Sequence, residues 1–231
     1  SVLGTITRVG KAPAGQHLHH VHLQFGHLSV GEEVELALDS KRRHLIERNH
    51  SATHLLHAAI SEILGKHVEQ KGSYCDENYL RFDFTSMEKL SSEDLNKIEA
   101  LVNEKIAESI PEETKILPVD EAKNLGAEME FSEKYGSVVR VVCFEDFSKE
   151  FCGGTHVKNT SEIGLFVLES ESSVSAGTRR IQARTSLGAY QYLRRKSEVL
   201  ASIESETLSK DDTVLESVKK FLDSPFTKRE K

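Results

Sequence analysis

Asn49-His50-Ser51-Ala52-Thr53-His54-Leu55-Leu56-His57 separates into two faces when wound as a helix. Ala52, Leu55, Leu56, Ala59, Ile60 and Ile63 fall on one side at helical spacing, so that side belongs on a core. His50 and His54 stand one turn apart on the other side. Asn49 has the chemistry of an N-cap and Gly65 that of a stop, which predicts a helix between them. Two imidazoles one turn apart form half of a zinc site and need two more donors from elsewhere. Phe151-Cys152-Gly153-Gly154-Thr155-His156-Val157 supplies them, because Cys152 and His156 repeat the same spacing around two glycines that permit a tight bend. The two pairs predict one zinc site assembled from distant segments. His57 also lies on the histidine face and competes as a ligand. Cys152 and His156 already complete a tetrahedron, which favours a supporting or packing role for His57.

The chain has 231 residues, enough for one large domain or two small ones with a real core. Its composition, 38% hydrophobic and 29% charged, is that of a soluble globular protein. No apolar run approaches the length of a membrane span and no signal peptide opens the chain. Three cysteines are too few for a disulfide framework, which fits a reducing cytoplasmic setting. Cys143, inside the strand-like Val138–Phe144, reads as a buried structural thiol. A net charge of −7 excludes an indiscriminate nucleic-acid binder, so any RNA contact falls to local basic clusters. These are Lys41-Arg42-Arg43 with Arg48, Arg179-Arg180 with Arg184, and Arg194-Arg195-Lys196.

In chain order, the periodicities predict an α+β fold. Short alternating strands at Gly4–Val9, His20–Phe25 and Glu33–Leu38 read as a small β-barrel portion over 1–45. His17, His19, His20, His22 and His27 crowd this region, but alternation spreads them over both strand faces with no cysteine or carboxylate cluster beside them. Residues 46–188 read as an antiparallel sheet with helices on one face. Its strands are Tyr79–Phe84, Lys115–Val119, Val138–Phe144, Gly164–Glu171 and Thr178–Thr185; Ser91 or Ser92 opens one helix, and a second runs over Asp120–Leu125 to a cap at Gly126. Leu95, Ile98, Val102 and Ile106 hold helical spacing until Pro111. From 189 to 231 the pattern is a polar helical tail, with an apolar stripe at Val214, Leu215, Val218, Phe221 and Leu222 and a frayed end.

Three separated blocks, Arg48–His57, Cys152–His156 and Ala176-Gly177-Thr178-Arg179-Arg180-Ile181, resemble in the same order the editing domain of alanyl-tRNA synthetases. Freestanding AlaX-type proteins and threonyl-tRNA synthetases carry related domains. The resemblance runs from Gly4-Thr5-Ile6-Thr7 to about Gly188. It implies that Ser1 is a boundary inside a longer chain whose barrel starts earlier. It also implies that the tail leads towards a dimerisation region absent here, and that nothing in this stretch uses ATP, although the parent enzyme attaches alanine to tRNA(Ala) with it.

The implied activity is hydrolysis of the ester in tRNA(Ala) wrongly carrying serine or glycine. Binding once discriminates poorly between serine and alanine, so a second sieve is needed. The resemblance implies zinc on His50, His54, Cys152 and His156. Thr53 and Gln70 would contact amino acid or water. Gly153 and Gly154 would present amides to an oxyanion or to the terminal ribose, and Arg179 and Arg180 would hold acceptor-end phosphates. Four protein donors close a tetrahedral zinc, whereas zinc-hydroxide chemistry needs an open position. The alternatives are a freestanding trans-editing hydrolase, the threonyl relative, and a non-catalytic zinc-stapled RNA-binding module.

Overall fold

A long helix, α1 (Ser40–Leu64), carries the histidine segment and is the element on which the larger part of the molecule packs. The computed structural model describes residues 3–129, 136–207, 213, 215, 216 and 219. Val214, Val218, Phe221, Leu222 and the terminal Thr227–Lys231 lie outside the described residues, and Leu215 is exposed. By internal contacts the chain divides into Ser1–Leu38 and Asp39–Lys231.

In the first unit β1 (Gly4–Lys11) and β2 (His17–Leu23) form an antiparallel hairpin with a bulge between Ile6 and Arg8. Gly15, at φ 87°, makes the turn. The expected third strand at Glu33–Leu38 is absent, and no barrel closes among the described residues. Alternation at Val34, Leu36 and Leu38 gives a strand its faces. Without a ladder partner the segment stays irregular, with those side chains exposed.

In the second unit Asp39 caps α1, its carboxylate accepting from the Arg42 N–H at 3.0 Å. The helix thus starts well before Asn49, correcting the capping role expected there. Asn49 is buried mid-helix, where its Nδ2 donates to the Asp76 carbonyl (2.7 Å) and its Oδ1 accepts from Thr185 Oγ1 (2.7 Å). Gly65 does end the helix, at φ 106°. Ala52, Leu55, Leu56, Ala59 and Ile60 are fully buried.

The single expected sheet is two antiparallel sheets. The larger has the order β3 (Gln70–Cys75), β4 (Leu80–Thr85), β9 (Thr178–Thr185), β8 (Phe166–Ser175). Leu80, Phe82 and Phe84 of β4, with Ile181 and Ala183 of β9, join the α1 core. Helix α2 (Ser92–Ala107) is capped by Ser91 and adds Ile98, Val102 and Ile106 to the same core. Asn103 ties it to β8, giving a hydrogen bond to the Phe166 carbonyl (2.8 Å) and taking one from its N–H (3.0 Å). The smaller sheet has the order β5 (Glu112–Pro118), β6 (Val138–Phe144), β7 (Ser148–Phe151). Its Val139, Val141 and Cys143 pack with Ala122 of the short helix α3 (Val119–Asn124), while Val142 and Phe144 reach the main core. Cys143 is buried, as its strand pattern requires. Helix α4 (Ser186–Thr207) buries Ala189.

Because Asn49 satisfies the half-buried Asp76 carbonyl and the buried Thr185 hydroxyl, Asn49→Ala leaves both unpaired. It should destabilise the protein by about 2–3 kcal/mol, read from urea unfolding as a lower midpoint at unchanged slope.

Candidate metal centre

Helical spacing on α1 sets His50 and His54 with ring centroids 5.1 Å apart. The loop that leaves β7 brings Cys152 and His156 against them. His156 stacks on His50 at 4.1 Å and meets His54 edge-on at 4.4 Å. Cys152 Sγ lies 3.5 Å from His50 Nε2 and 3.3 Å from His156 Nε2. One ligand atom from each of the four residues lies within 4.8 Å of the others. Donors around a tetrahedral zinc at ordinary bond lengths sit roughly 3.4–3.6 Å apart, close to the two sulfur–nitrogen separations here.

Side-chain partners fix which nitrogens are available. His50 donates from Nδ1 to the Thr155 carbonyl at 3.1 Å, which leaves the Nε2 lone pair facing Cys152. His156 Nδ1 meets Ser51 Oγ at 3.0 Å, and its Nε2 likewise faces the sulfur. Ser51 Oγ also accepts the Val157 N–H at 3.1 Å, so one hydroxyl on α1 holds both ring and backbone of the loop. His54 Nδ1 is buried without a hydrogen-bond partner. An orphaned nitrogen inside a cluster of one thiol and three imidazoles fits a metal donor set.

Electrostatics keep the imidazoles in the ligand form. Burial pushes His156 down to about 2, and burial together with neighbouring His156 holds His54 well below its ordinary value. His50 is lowered for the same first reason, burial, and the Arg140 charge disfavours protonation of all three rings. His57 stands outside the four-donor group. Burial opposes its charge, but a 3.2 Å contact to Glu150 Oε1 raises its pKa, and its ring packs 5.0 Å from Phe82.

The loop glycines have different reasons. A Cβ on Gly154 would lie 2.8 Å from His50 Nδ1 and closer still to Cε1, so the backbone must approach the ring bare. A Cβ on Gly153 meets nothing within 4 Å. Thr53 and Gln70 line one cavity, about 250 Å³, together with His50, His54 and Cys152. The Thr53 hydroxyl donates to the Asn49 carbonyl at 2.8 Å, while the Gln70 amide makes only a long 3.4 Å bond to Ser73.

Arg179 and Arg180 are not among the residues lining this cavity. As neighbours on β9 they project to opposite faces of the sheet, opposite Phe84 and Asp83 respectively. Arg179 pairs with Glu171, and Arg180 makes a bidentate pair with Asp83 at 2.6 Å to both oxygens. Other basic-cluster side chains are similarly engaged, Arg42 with Glu77, Arg184 with Glu169 and Arg194 with Glu198. Sequence reasoning missed Ser51 and Arg140. The signal for Arg140 was a charge inside Val138-Val139-Arg140-Val141-Val142. In the fold it donates to the carbonyls of both Cys152 and Gly154.

Residues 139–182 match the family model described as threonyl and alanyl tRNA synthetase second additional domain. The chain is 47% identical over 214 residues to an alanine–tRNA ligase of Staphylococcus saprophyticus, covering 92% of this chain and 24% of that one. It is 48% identical over 205 residues to that of Bacillus velezensis, covering 89% of this chain and 23% of the relative. The chain therefore spans about a quarter of the length of the curated relatives it matches.

The unequal glycines give a paired prediction. Gly154→Ala should displace His50 and severely weaken metal uptake by this donor set, whereas Gly153→Ala should take up metal as wild type does, both read by elemental analysis of protein titrated with zinc.

Proposed function

On the premise that the chain carries the second additional domain and is similar over 92% of its length to an alanine–tRNA ligase, we propose that it is an editing module. Its reaction is hydrolysis of the ester that joins serine or glycine to tRNA(Ala), at a centre where His50, His54, Cys152 and His156 hold zinc. The observation that carries this reading is the shared cavity: three of the four donors line it together with two polar groups, Thr53 and Gln70, that are not needed to hold a metal. Bound zinc supplies a Lewis acid that favours the polarised ester and fixes a substrate polar group.

The remaining work falls to the chain. Thr53 spends its proton on the Asn49 carbonyl, so its oxygen is left as an acceptor for the hydroxyl of serine. Alanine offers no donor there, and a size filter alone would admit alanine more readily than serine. The loosely held Gln70 amide is free to turn and orient water or the ester. Gly153 offers its backbone N–H to the developing oxyanion or to the terminal ribose, whereas the Gly154 N–H is turned to Cys152 Sγ and shapes the loop instead. Arg179 and Arg180 retain guanidinium N–H groups beyond those used by Glu171 and Asp83, and we assign these to separate phosphates of the acceptor end.

Two assays test the reading. Wild type should release serine from Ser-tRNA(Ala) and spare Ala-tRNA(Ala), and His54→Ala with Cys152→Ala should lose both zinc and hydrolysis. Retained zinc in that double variant contradicts the donor set. Zinc and tRNA binding without hydrolysis would make the chain a non-catalytic zinc-stapled RNA-binding module. Thr53→Val keeps the volume but removes the acceptor, a loss of about 1–3 kcal/mol, so the Ser/Ala rate ratio should fall roughly 5- to 150-fold. An unchanged ratio would remove Thr53 from discrimination.

A further inference from the structure

Arg140 sits on β6, the strand next to the segment that runs into the Cys-Gly-Gly loop. Its backbone carbonyl accepts the Cys152 N–H at 3.0 Å. Its Nη1 lies 2.8 Å from the carbonyl of Cys152 and 2.8 Å from that of Gly154, and Nη1 carries two hydrogens, one for each. Nη2 donates to Thr114 Oγ1 at 3.0 Å on β5, and Glu112 lies beyond it at 4.0 Å. One side chain therefore joins both ends of the Cys152–Gly154 turn to the smaller sheet.

The direction of these bonds matters more than their number. A loop of two glycines is free to flip its peptides, and a flipped carbonyl would face the donor cluster instead of an N–H. Both carbonyls are turned to the guanidinium, and on the peptide between those two the Gly154 N–H points at Cys152 Sγ, 3.4 Å away. The Thr155 carbonyl is then left to receive the His50 Nδ1–H at 3.1 Å. The guanidinium meets two carbonyls through Nη1 and a hydroxyl through Nη2, a planar two-nitrogen spread that the single nitrogen of a lysine does not reproduce.

We propose that Arg140 is a positioning residue that clamps the Cys152–Gly154 turn in its metal-ready orientation before any metal arrives. The proposal rests on the zinc reading above for its consequence, but not for its geometry. In the metal-free protein the clamp keeps the Val157 N–H on Ser51 Oγ, because the turn cannot swing away from α1. When zinc binds, the cost of ordering the turn has already been met, so affinity is higher than in a loop that must be organised by the metal.

The test compares wild type, Arg140→Met, Arg140→Lys and Thr114→Val in the full chain. In metal-free protein, amide hydrogen exchange at Val157 should accelerate in Arg140→Met and Arg140→Lys, while exchange in β4 is unchanged. A uniform acceleration through β4 would mean general destabilisation and overturn the clamp. Titration with zinc alone should then give dissociation constants about 10- to 100-fold weaker for Arg140→Met, in the range typical of lost partners around a metal site. Arg140→Lys should stay well weaker than wild type, and Thr114→Val, which removes one support without touching the loop, should show a smaller loss in the same direction. If Arg140→Met fails to fold, Arg140→Lys and Thr114→Val decide. Wild-type exchange and wild-type affinity in Arg140→Lys would overturn the proposal. If wild type itself binds no zinc, the metal reading fails, while the exchange result still decides the clamp.

Discussion

The contact on which the rest depends is the meeting of α1 with the backbone of the Cys-Gly-Gly loop. It is made at two adjacent residues of one helical turn. The His50 ring lies where a side chain on Gly154 would have to be, and Ser51 accepts the Val157 N–H while holding His156. Neither segment is a site alone. The helix provides two rings and a hydroxyl, and the loop provides a thiol, a ring and the absence of a Cβ. What brings them together is the larger fold, with α1 packed on β4 and β9, α2 packed on α1, and β7 delivered to α1 by the smaller sheet.

That meeting buries groups that are expensive to bury. Three imidazoles and a cysteine sulfur are withdrawn from water beside a guanidinium, and the rings respond by staying neutral. Neutral rings with their other nitrogens committed to Thr155 and Ser51 are what a metal requires. The His54 ring is buried beside them, with Nδ1 unpartnered and Nε2 3.5 Å from Glu150 Oε2, and it fits the same donor set. Polar groups on the cavity wall complete the arrangement, with acceptor character at Thr53 and an amide at Gln70 held by one long bond to Ser73.

Much of this was legible from residue types and spacing. The two donor pairs, the buried face of α1, the stop at Gly65, a helix start at Ser91 or Ser92 and the strand at Thr178–Thr185 all follow from periodicity and local chemistry, which short-range physics controls. What was misread depended on partners distant in sequence. Asn49 looks like a cap, yet the helix continues through it because Asp39 caps earlier and Asp76 and Thr185 satisfy its amide. Glu33–Leu38 alternates like a strand but has no strand neighbour to pair with among the described residues. Strands that seemed to form one sheet divide into two because pairing register, not alternation, decides neighbours. Arg179 and Arg180 are adjacent in sequence, but strand geometry sends them to opposite faces and into carboxylate pairs, which spacing does not show; their expected role at acceptor-end phosphates stays a proposal. Arg140 was hidden for the opposite reason, as a single charge in a valine run whose partners lie on a loop that spacing alone cannot aim.

The central claim is that two distant segments supply one sulfur and three nitrogens to a single ion. X-ray absorption at the zinc edge of the purified protein tests it most directly. The account predicts a first shell of one sulfur at about 2.3 Å and three nitrogens at about 2.0–2.1 Å. A shell of nitrogen and oxygen without sulfur would contradict it, since Cys152 would then not be a ligand and the loop would not close the site.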